Sequence, residues 1–247
     1  MMALEALIAR LQYYSDLSDG ERDALARLGG KVRSFAANSE IITAGQEMDA
    51  VLVMREGWAA RFKLLEDGRR QILNILLPGD IFDLQVLVAA EADHSVVTVT
   101  SGSLYAVSPA AVREMLAGSG ALTMAFWWTQ VQEEAFLREQ IIRNGRQSAQ
   151  ERIGHLLLEL HRRAQIVNQA SDDTMRLPLT QTQIADTLGL TPIHTNRVLR
   201  RLVRAGYIEM SRHWIRFLEP DTLAQMCEFD PSYFHLDAFR MRLGRHS

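Results

Sequence analysis

The sequence predicts an α+β protein in which a β-roll or jelly roll, one long helix and a winged helix-turn-helix follow one another along the chain. Three observations carry this. Seven short β-prone runs lie between Lys31 and Val107, separated by turn signals. The stretch from Gly120 to Gly145 has helical character and holds neither proline nor an internal glycine. Two helical segments that hinge at Gly189 are followed by two more β-prone runs. The expected division is residues 1–118 for the roll, 119–145 for the long helix, 146–220 for the winged helix-turn-helix and 221–247 for a C-terminal extension.

Residues 3–28 read as helical. Ser18 is placed to cap a second helix at GERDALARLG, and Glu21 three residues later completes a capping box. The seven strands are KVRSF, EIITA, AVLVMREG, WAARFKLL, RQILNILL, SVVTVT and SLYAVS, with turns at Ala44-Gly45, Asp67-Gly68, Pro78-Gly79 and Ser101-Gly102. The clearest hairpin is WAARFKLLEDGRRQILNILL, where Glu66-Asp67-Gly68 supplies residues tolerant of positive φ. After Ser108-Pro109 the pattern turns helical. The long helix would run about 40 Å at ~1.5 Å per residue, too far for a small domain to cover alone. Its apolar residues form two rows: Leu122, Phe126, Thr129 and Phe136 on one, Met124, Trp128, Val131, Ala135 and Ile142 on another. One face is expected to pack on the roll and one on a second copy of the chain; the row Leu122, Phe126, Thr129, Glu133 and Phe136 is assigned to the partner. The competing arrangement is a helix wholly buried in one monomer. EPDTLAQMCEF reads as one more helix.

Charge is uneven along the chain. The formal net charge is -3, yet residues 146–217 carry eleven arginines against six acidic side chains, while residues 1–145 carry thirteen basic and nineteen acidic ones. A basic module joined to an acidic one suits a nucleic-acid partner for the former. Cys227 is the only cysteine, which excludes an intramolecular disulfide and a cysteine-based cluster and suits a reducing cytoplasm. The N-terminal stretch lacks the pattern of a signal peptide, and no run approaches the roughly 18 apolar residues of a membrane span. An enzyme is not expected: there is no glycine-rich phosphate loop and no HExxH, and the pairs Asp172-Asp173 and Glu133-Glu134 read as a loop and a helix face. No metal site is expected.

The informative segment is LTQTQIADTLGLTPIHTNRVLRRLVRAGYIEM, Leu179 to Met210. A short helix starts at Thr180 or Gln181, with Ile184, Ala185 and Leu188 at helical spacing, and Gly189 ends it where a left-handed residue is wanted. Thr191 is a good N-cap and Pro192 suits the first helical position, so a second helix runs to about Ala205. Its apolar seam is Val198, Leu199, Leu202 and Val203; its other side bears Arg197, Arg200, Arg201 and Arg204, with no acidic residue between Thr191 and Arg204. Unneutralised guanidinium groups in such a row suit a polyanion, where arginine binds phosphate or reads guanine. The duplex-DNA contacts expected are Thr180, Gln181 and Thr182 on the first helix, then Thr191, Pro192, Ile193, His194, Asn196, Arg197, Arg200 and Arg201 on the second. The wing formed by YIEM and HWIRFL adds Arg212 and His213.

With these residues in place the layout resembles the Crp/Fnr transcription regulators, over residues 1 to about 220. The segment LTQTQIADTLGLTPIHTNRVLRRL is specific to that family, and QSAQERIGHLLLEL is similar to the first helix of its DNA-binding domain, in a branch common in alphaproteobacteria. The resemblance implies a cyclic-nucleotide-binding-like roll, a homodimer on a palindromic site, and contact with RNA polymerase. It matches Arg197 to the family's base-reading arginine. Ile193 stands where the family usually has glutamate. The remaining alternative is a cyclic-nucleotide-like module whose helical tail makes protein contacts only.

The family's cyclic-AMP pocket uses a glycine-glutamate pair and an arginine-serine pair. The corresponding residues here are Asp83 and Leu84, then His94 and Ser95, so three of four are changed. Leucine cannot accept from a ribose hydroxyl, and an aspartate in place of glycine adds a negative charge and a side chain to the pocket. The iron-sulfur variant needs an N-terminal cysteine cluster that is absent from the sequence. Phe82, Asp83, Leu84, His94 and Ser95 are kept as the effector pocket, for an unidentified effector or none. Haem remains open as a cofactor through His94, Met48 or Met54. Trp58, Phe62, Leu73, Ile75, Phe82 and Leu84 line either an apolar cavity or ordinary core. The protein is expected not to bind cyclic AMP at physiological concentration; isothermal titration returning a micromolar affinity would refute this.

Overall fold

The structure is a computed structural model that describes residues 4–88 and 91–236. It divides into two compact units. Of the described residues, the first comprises 4–61, 75–88, 91–134 and 234–236, and the second 62–74 and 135–233. The boundaries differ from those expected: the long helix is not a segment of its own but is shared between the units, and the far half of one hairpin belongs with the second.

In the first unit, α1 (Glu5–Leu11) and α2 (Asp19–Arg27) precede the roll, and the Ser18–Glu21 capping box starts α2 as its sequence predicts. The strands are β1 (Lys31–Phe35), β2 (Glu40–Ile42), β3 (Val51–Glu56), β4 (Ala59–Leu64), β5 (Arg70–Leu76), β6 (Ile81–Phe82), β7 (Ser95–Thr98) and β8 (Gly102–Val107). They form two four-stranded sheets, ordered β1-β8-β3-β6 and β2-β7-β4-β5. The two-residue β6, which the sequence analysis missed, pairs antiparallel with β3. Then come α3 (Pro109–Gly118) and α4 (Gly120–Arg146).

β3 and β8 explain the layering. Alternate residues of a strand point to opposite faces, and here both faces are covered. Leu52, Met54, Leu104 and Ala106 join one apolar cluster with Ile42, Val96 and Phe82. Val51, Val53, Tyr105 and Val107 join another with Leu7, Leu11, Leu25 and Val112 from the helices and Leu122 and Phe126 from α4. Each fully buried aliphatic side chain of this kind stabilises by about 1.5–3 kcal/mol. Gly79 permits the close approach of α1: its φ is +86°, and a Cβ there would stand 2.6 Å from the Ala6 carbonyl oxygen.

α4 corrects the expected partner-facing row. Leu122, Phe126, Thr129 and Phe136 are all buried within the chain itself, and Glu133 is half-buried and ion-paired with Arg61. The physical reason is that this arc also carries Gln132 and Arg143, which find buried partners. Gln132 accepts from Arg10 (2.8 Å), Arg10 also pairs with Asp80, and Asp80 accepts from the Leu77 amide (2.8 Å). An ion pair this buried holds because its remaining hydrogen bonds are made; removing one partner of such a pair costs about 3–5 kcal/mol. The exposed arc is a different row: Met124, Trp127, Glu134, Arg138, Ile141 and Ile142, with Trp127 68% and Ile141 73% exposed and Val131 half-buried beside them. Of the second expected row, Trp128 and Ala135 are buried.

In the second unit, α5 (Ala149–Ile166) begins at a Ser148–Glu151 capping box and is buried along nearly all its length. Around it lie β9 (Thr174–Arg176), α6 (Gln181–Leu188), α7 (Pro192–Arg204), β10 (Ile208–Ser211), β11 (Trp214–Phe217) and α8 (Pro220–Met226). The far half of the β4–β5 hairpin packs here: Arg70 pairs with Asp186 (2.7 Å), Gln71 donates to the Thr187 carbonyl (3.1 Å), and Arg163 donates to Asn74 (3.2 Å).

The C-terminal segment closes this unit through a buried polar cluster. Arg143 pairs with Glu159 (3.1 Å), the Tyr233 hydroxyl donates to the same carboxylate (3.2 Å), and His155 Nε2 lies 3.2 Å from that hydroxyl. Burial, followed by the positive charge of Arg143, pushes the His155 pKa down from 6.5 to about 4. The imidazole is therefore neutral in the folded protein and takes up its proton near pH 6.5 only when unfolded. Between those values the unfolded state binds more protons, so stability falls as pH drops. His155 is expected to contribute a loss on the order of 3 kcal/mol between pH 6.5 and 4. Urea titrations across that range should give a flatter slope for His155→Gln than for the parent; equal slopes would contradict the assignment.

Candidate nucleic-acid interface

The helix-turn-helix is built by local signals. The Thr180 hydroxyl accepts from the Gln183 amide (3.1 Å) and the Gln183 side chain accepts from the Thr180 amide (2.8 Å), which fixes the start of α6. Gly189 ends it with φ +63°, a conformation that costs a non-glycine residue. The chain then turns tightly, and the Thr191 hydroxyl accepts from the His194 amide (3.2 Å) to start α7, with Pro192 in the first turn.

The orientation of α7 follows from its seam. Thr195, Val198, Leu199 and Leu202 are buried against the unit, while Val203, expected in the seam, is partly exposed. The opposite face is open: Arg197, Arg200, Arg201 and Arg204 are exposed, and none forms an ion pair among the described residues. Ile193 is 80% exposed. Of the other expected contacts, Thr180, Gln181, Thr182, Thr191 and Pro192 are exposed, and His194 and Asn196 are half-buried at the edge of the same face. Arg212 and His213 are exposed at the turn between β10 and β11.

The wing is larger than expected. β9 adds a third strand, giving the order β10-β11-β9 with Trp214 opposite Arg176. Three residues, TMR, carry too little alternation to be read as a strand. Arg176 is thereby placed, exposed, beside the wing, an addition that the sequence analysis missed. Arg204, which the sequence analysis noted but did not include among the contacts, shares the open face of α7. Arg216 is not a comparable cation, because Asp173 accepts from it at 2.9 Å.

The expected effector residues do not form one pocket. Phe82 is in the cluster shared with Leu52 and Met54, Leu84 packs against the other cluster, and the Ser95 hydroxyl accepts from the Ala44 amide (3.0 Å). The cause is the backbone at Asp83: with φ +60° it ends β6 and turns the chain between its two neighbours. Only Asp83 and His94 meet, both buried, with Nε2 2.9 Å from the carboxylate but out of line for a hydrogen bond. The other ring nitrogen, Nδ1, lies 2.8 Å from Asp93. Both imidazole nitrogens thus face carboxylates, Met54 is buried in the core, and the half-buried Met48 sulfur accepts from the Gln85 side-chain amide (3.7 Å). Trp58, Ile75 and Phe82 are buried as ordinary core, and Phe62 lies under the Arg70 guanidinium (5.5 Å).

A β-roll followed by a capped helix-turn-helix with an unneutralised cationic face defines a two-part regulator that binds DNA. Comparison with known proteins agrees. Residues 151–226 match the Crp-like helix-turn-helix domain, and residues 32–119 match the cyclic nucleotide-binding domain. The nitrogen fixation regulation protein FixK of Azorhizobium caulinodans is 33% identical over 176 residues, covering 71% of this chain and 70% of that protein. The transcriptional activator protein FnrL of Cereibacter sphaeroides is 30% identical over 188 residues, covering 74% and 75%. The solved structure of FixK2 from Bradyrhizobium japonicum is similar, with a TM-score of 0.72 at 25% identity over 79% of this chain and 96% of that one. The chain belongs to the Crp/Fnr family of DNA-binding transcription regulators, whose members are not enzymes. No helix among the described residues is long and apolar enough to cross a membrane.

The Thr191 cap is the local device on which the open turn of α7 depends. Thr191→Ala is expected to destabilise the protein by about 1 kcal/mol. Equilibrium urea denaturation with an unchanged midpoint would show that α7 is held by packing alone.

Proposed function

We propose that this chain acts in the cytoplasm as a homodimer that binds a palindromic operator, each α7 entering one of two successive major grooves. The observation that carries the reading is the row of exposed guanidinium groups of Arg197, Arg200, Arg201 and Arg204, none in an ion pair among the described residues, on one face of a capped helix. In that docking the first turn of α7 lies nearest the base edges, and the later arginines and the wing lie nearest the phosphates. Arg197 is the candidate reader of guanine.

Pairing is assigned to the exposed arc of α4. Exposed Met124, Trp127 and Ile141, with half-buried Val131 between them, recur at helical spacing over about five turns, which makes a seam for a second copy of the same helix. A two-fold dimer presents its recognition helices symmetrically, which is why the operator is expected to be palindromic. Contact with RNA polymerase, and activation of transcription as in the relative named for it, belong to the same proposal. DNA binding is expected either without an effector or with one other than cyclic AMP.

Gel-shift titrations against duplexes selected from a random pool test this. Affinity should fall steeply with salt as counterions compete for the phosphates. Arg197→Ala should lose on the order of 1–3 kcal/mol at the selected site with relaxed specificity. The paired substitution Trp127→Asp with Ile141→Asp should yield a monomer by sedimentation and bind half-sites only weakly. Failure to shift any duplex at low salt would instead favour a module that contacts proteins through its helical tail.

A further inference from the structure

The geometry points to Ile193 as the specificity-determining residue that reads the 5-methyl group of a pyrimidine in the operator half-site. The inference rests on the docking of α7 proposed above and adds to it the chemistry of one base position.

Ile193 is anomalous where it stands. It is 80% exposed, in the first turn of a helix whose open face is otherwise polar and mainly arginine. It belongs to neither apolar cluster of the roll, and its fold-side neighbour Thr195 carries the packing instead. A single exposed apolar side chain on an ordinary surface means little. This one occupies the turn that reaches base edges when such a helix enters the major groove. The Thr191 cap and Pro192 fix the backbone on which it sits, and a β-branched side chain in a helix keeps essentially one χ1 rotamer. The Cγ2 methyl of Ile193 is therefore presented in a set direction, without an induced rearrangement.

The major groove offers one apolar group. Guanine presents N7 and O6, adenine N7 and an amine, and cytosine an amine, whereas thymine presents O4 and the C5 methyl. Isoleucine neither donates nor accepts a hydrogen bond. Against cytosine, adenine or guanine it would cover a polar edge and leave it unpaired, which is penalised. Against the C5 methyl it removes apolar surface on both sides from water. The residue thus discriminates by attraction to one base and by unpaired groups on the other three. Asn196 and Arg197 lie three and four positions further along α7, hence on the same face. Their side chains are suited to adenine and guanine, so the methyl-bearing base adjoins the positions they read.

The 5-methyl group has two sources in DNA, thymine and 5-methylcytosine, and only the second keeps the cytosine amine. A duplex selected from a random pool is rebuilt with deoxyuridine in place of each thymidine of one half-site in turn, then with cytosine and 5-methylcytosine at the sensitive position. Removing the methyl should weaken binding roughly fourfold per half-site and about fifteenfold when both are replaced. The expected order is thymine, then 5-methylcytosine, then cytosine. Ile193→Ala should bind the thymine and uracil duplexes equally, and Ile193→Val should retain most of the difference. If no position is sensitive to uracil, or if Ile193→Ala keeps the full thymine-to-uracil ratio, the inference is overturned while DNA binding stands. If no duplex is recovered from the pool, the docking of α7 fails and the inference with it.

Discussion

The buried seam of α7 is the constraint on which the functional surface depends. Thr195, Val198, Leu199 and Leu202 must face the unit because burying them is what holds the helix down. A helix turns about 100° per residue, so fixing one arc fixes the other. Arg197, Arg200, Arg201 and Arg204 are then held outward whether or not a partner is present. Their mutual repulsion is tolerated because it is screened by solvent, while the seam is not. The surface is thus a consequence of packing and is built before any ligand arrives.

The same logic, applied to α4, separates its two arcs. Polar residues are normally the mark of an outward face, but Gln132 and Arg143 point inward because they meet Arg10 and Glu159. Burying a charge is tolerable only when it is paired and its other hydrogen bonds are made. Once those contacts fix the inner arc, Met124, Trp127 and Ile141 are left exposed. That exposed row is the one proposed to pair with a second copy of the chain.

What was legible in the sequence was mainly punctuation. Ser18, Thr180, Gly189 and Thr191 act through hydrogen bonds to residues three or four positions away, and Pro192 through its fixed φ in the first turn, so a linear reading captures them, and the helix-turn-helix with its cationic face follows. What was not legible depends on distant partners. The periodicity of α4 revealed rows of residues but not which row its own chain would cover, so the row around Phe126 was assigned to the wrong side. β9 exists because β11 pairs with it, and three residues alone carry no such signal. The effector residues failed for a related reason. Phe82 and Leu84 are separated by one residue, a spacing that puts side chains on one face of a strand, but β6 ends at Phe82 and Asp83 turns the backbone between them.

Two kinds of interaction therefore coexist on one small helix, and they differ in range. The guanidinium groups act over distances comparable to the Debye length and are indifferent to base sequence wherever they meet phosphate. Ile193 acts only on contact, through area removed from water, and is blind to charge. A helix with arginines alone would hold a duplex without choosing a register, and one with apolar side chains alone would never be drawn to it. Placing the isoleucine in the first turn and spreading the arginines down the remaining length assigns each to the part of the groove where its physics applies. The cap at Thr191 is what keeps the two in a fixed relation, since loss of the first turn would free the reading residue while leaving the later arginines attached to the seam.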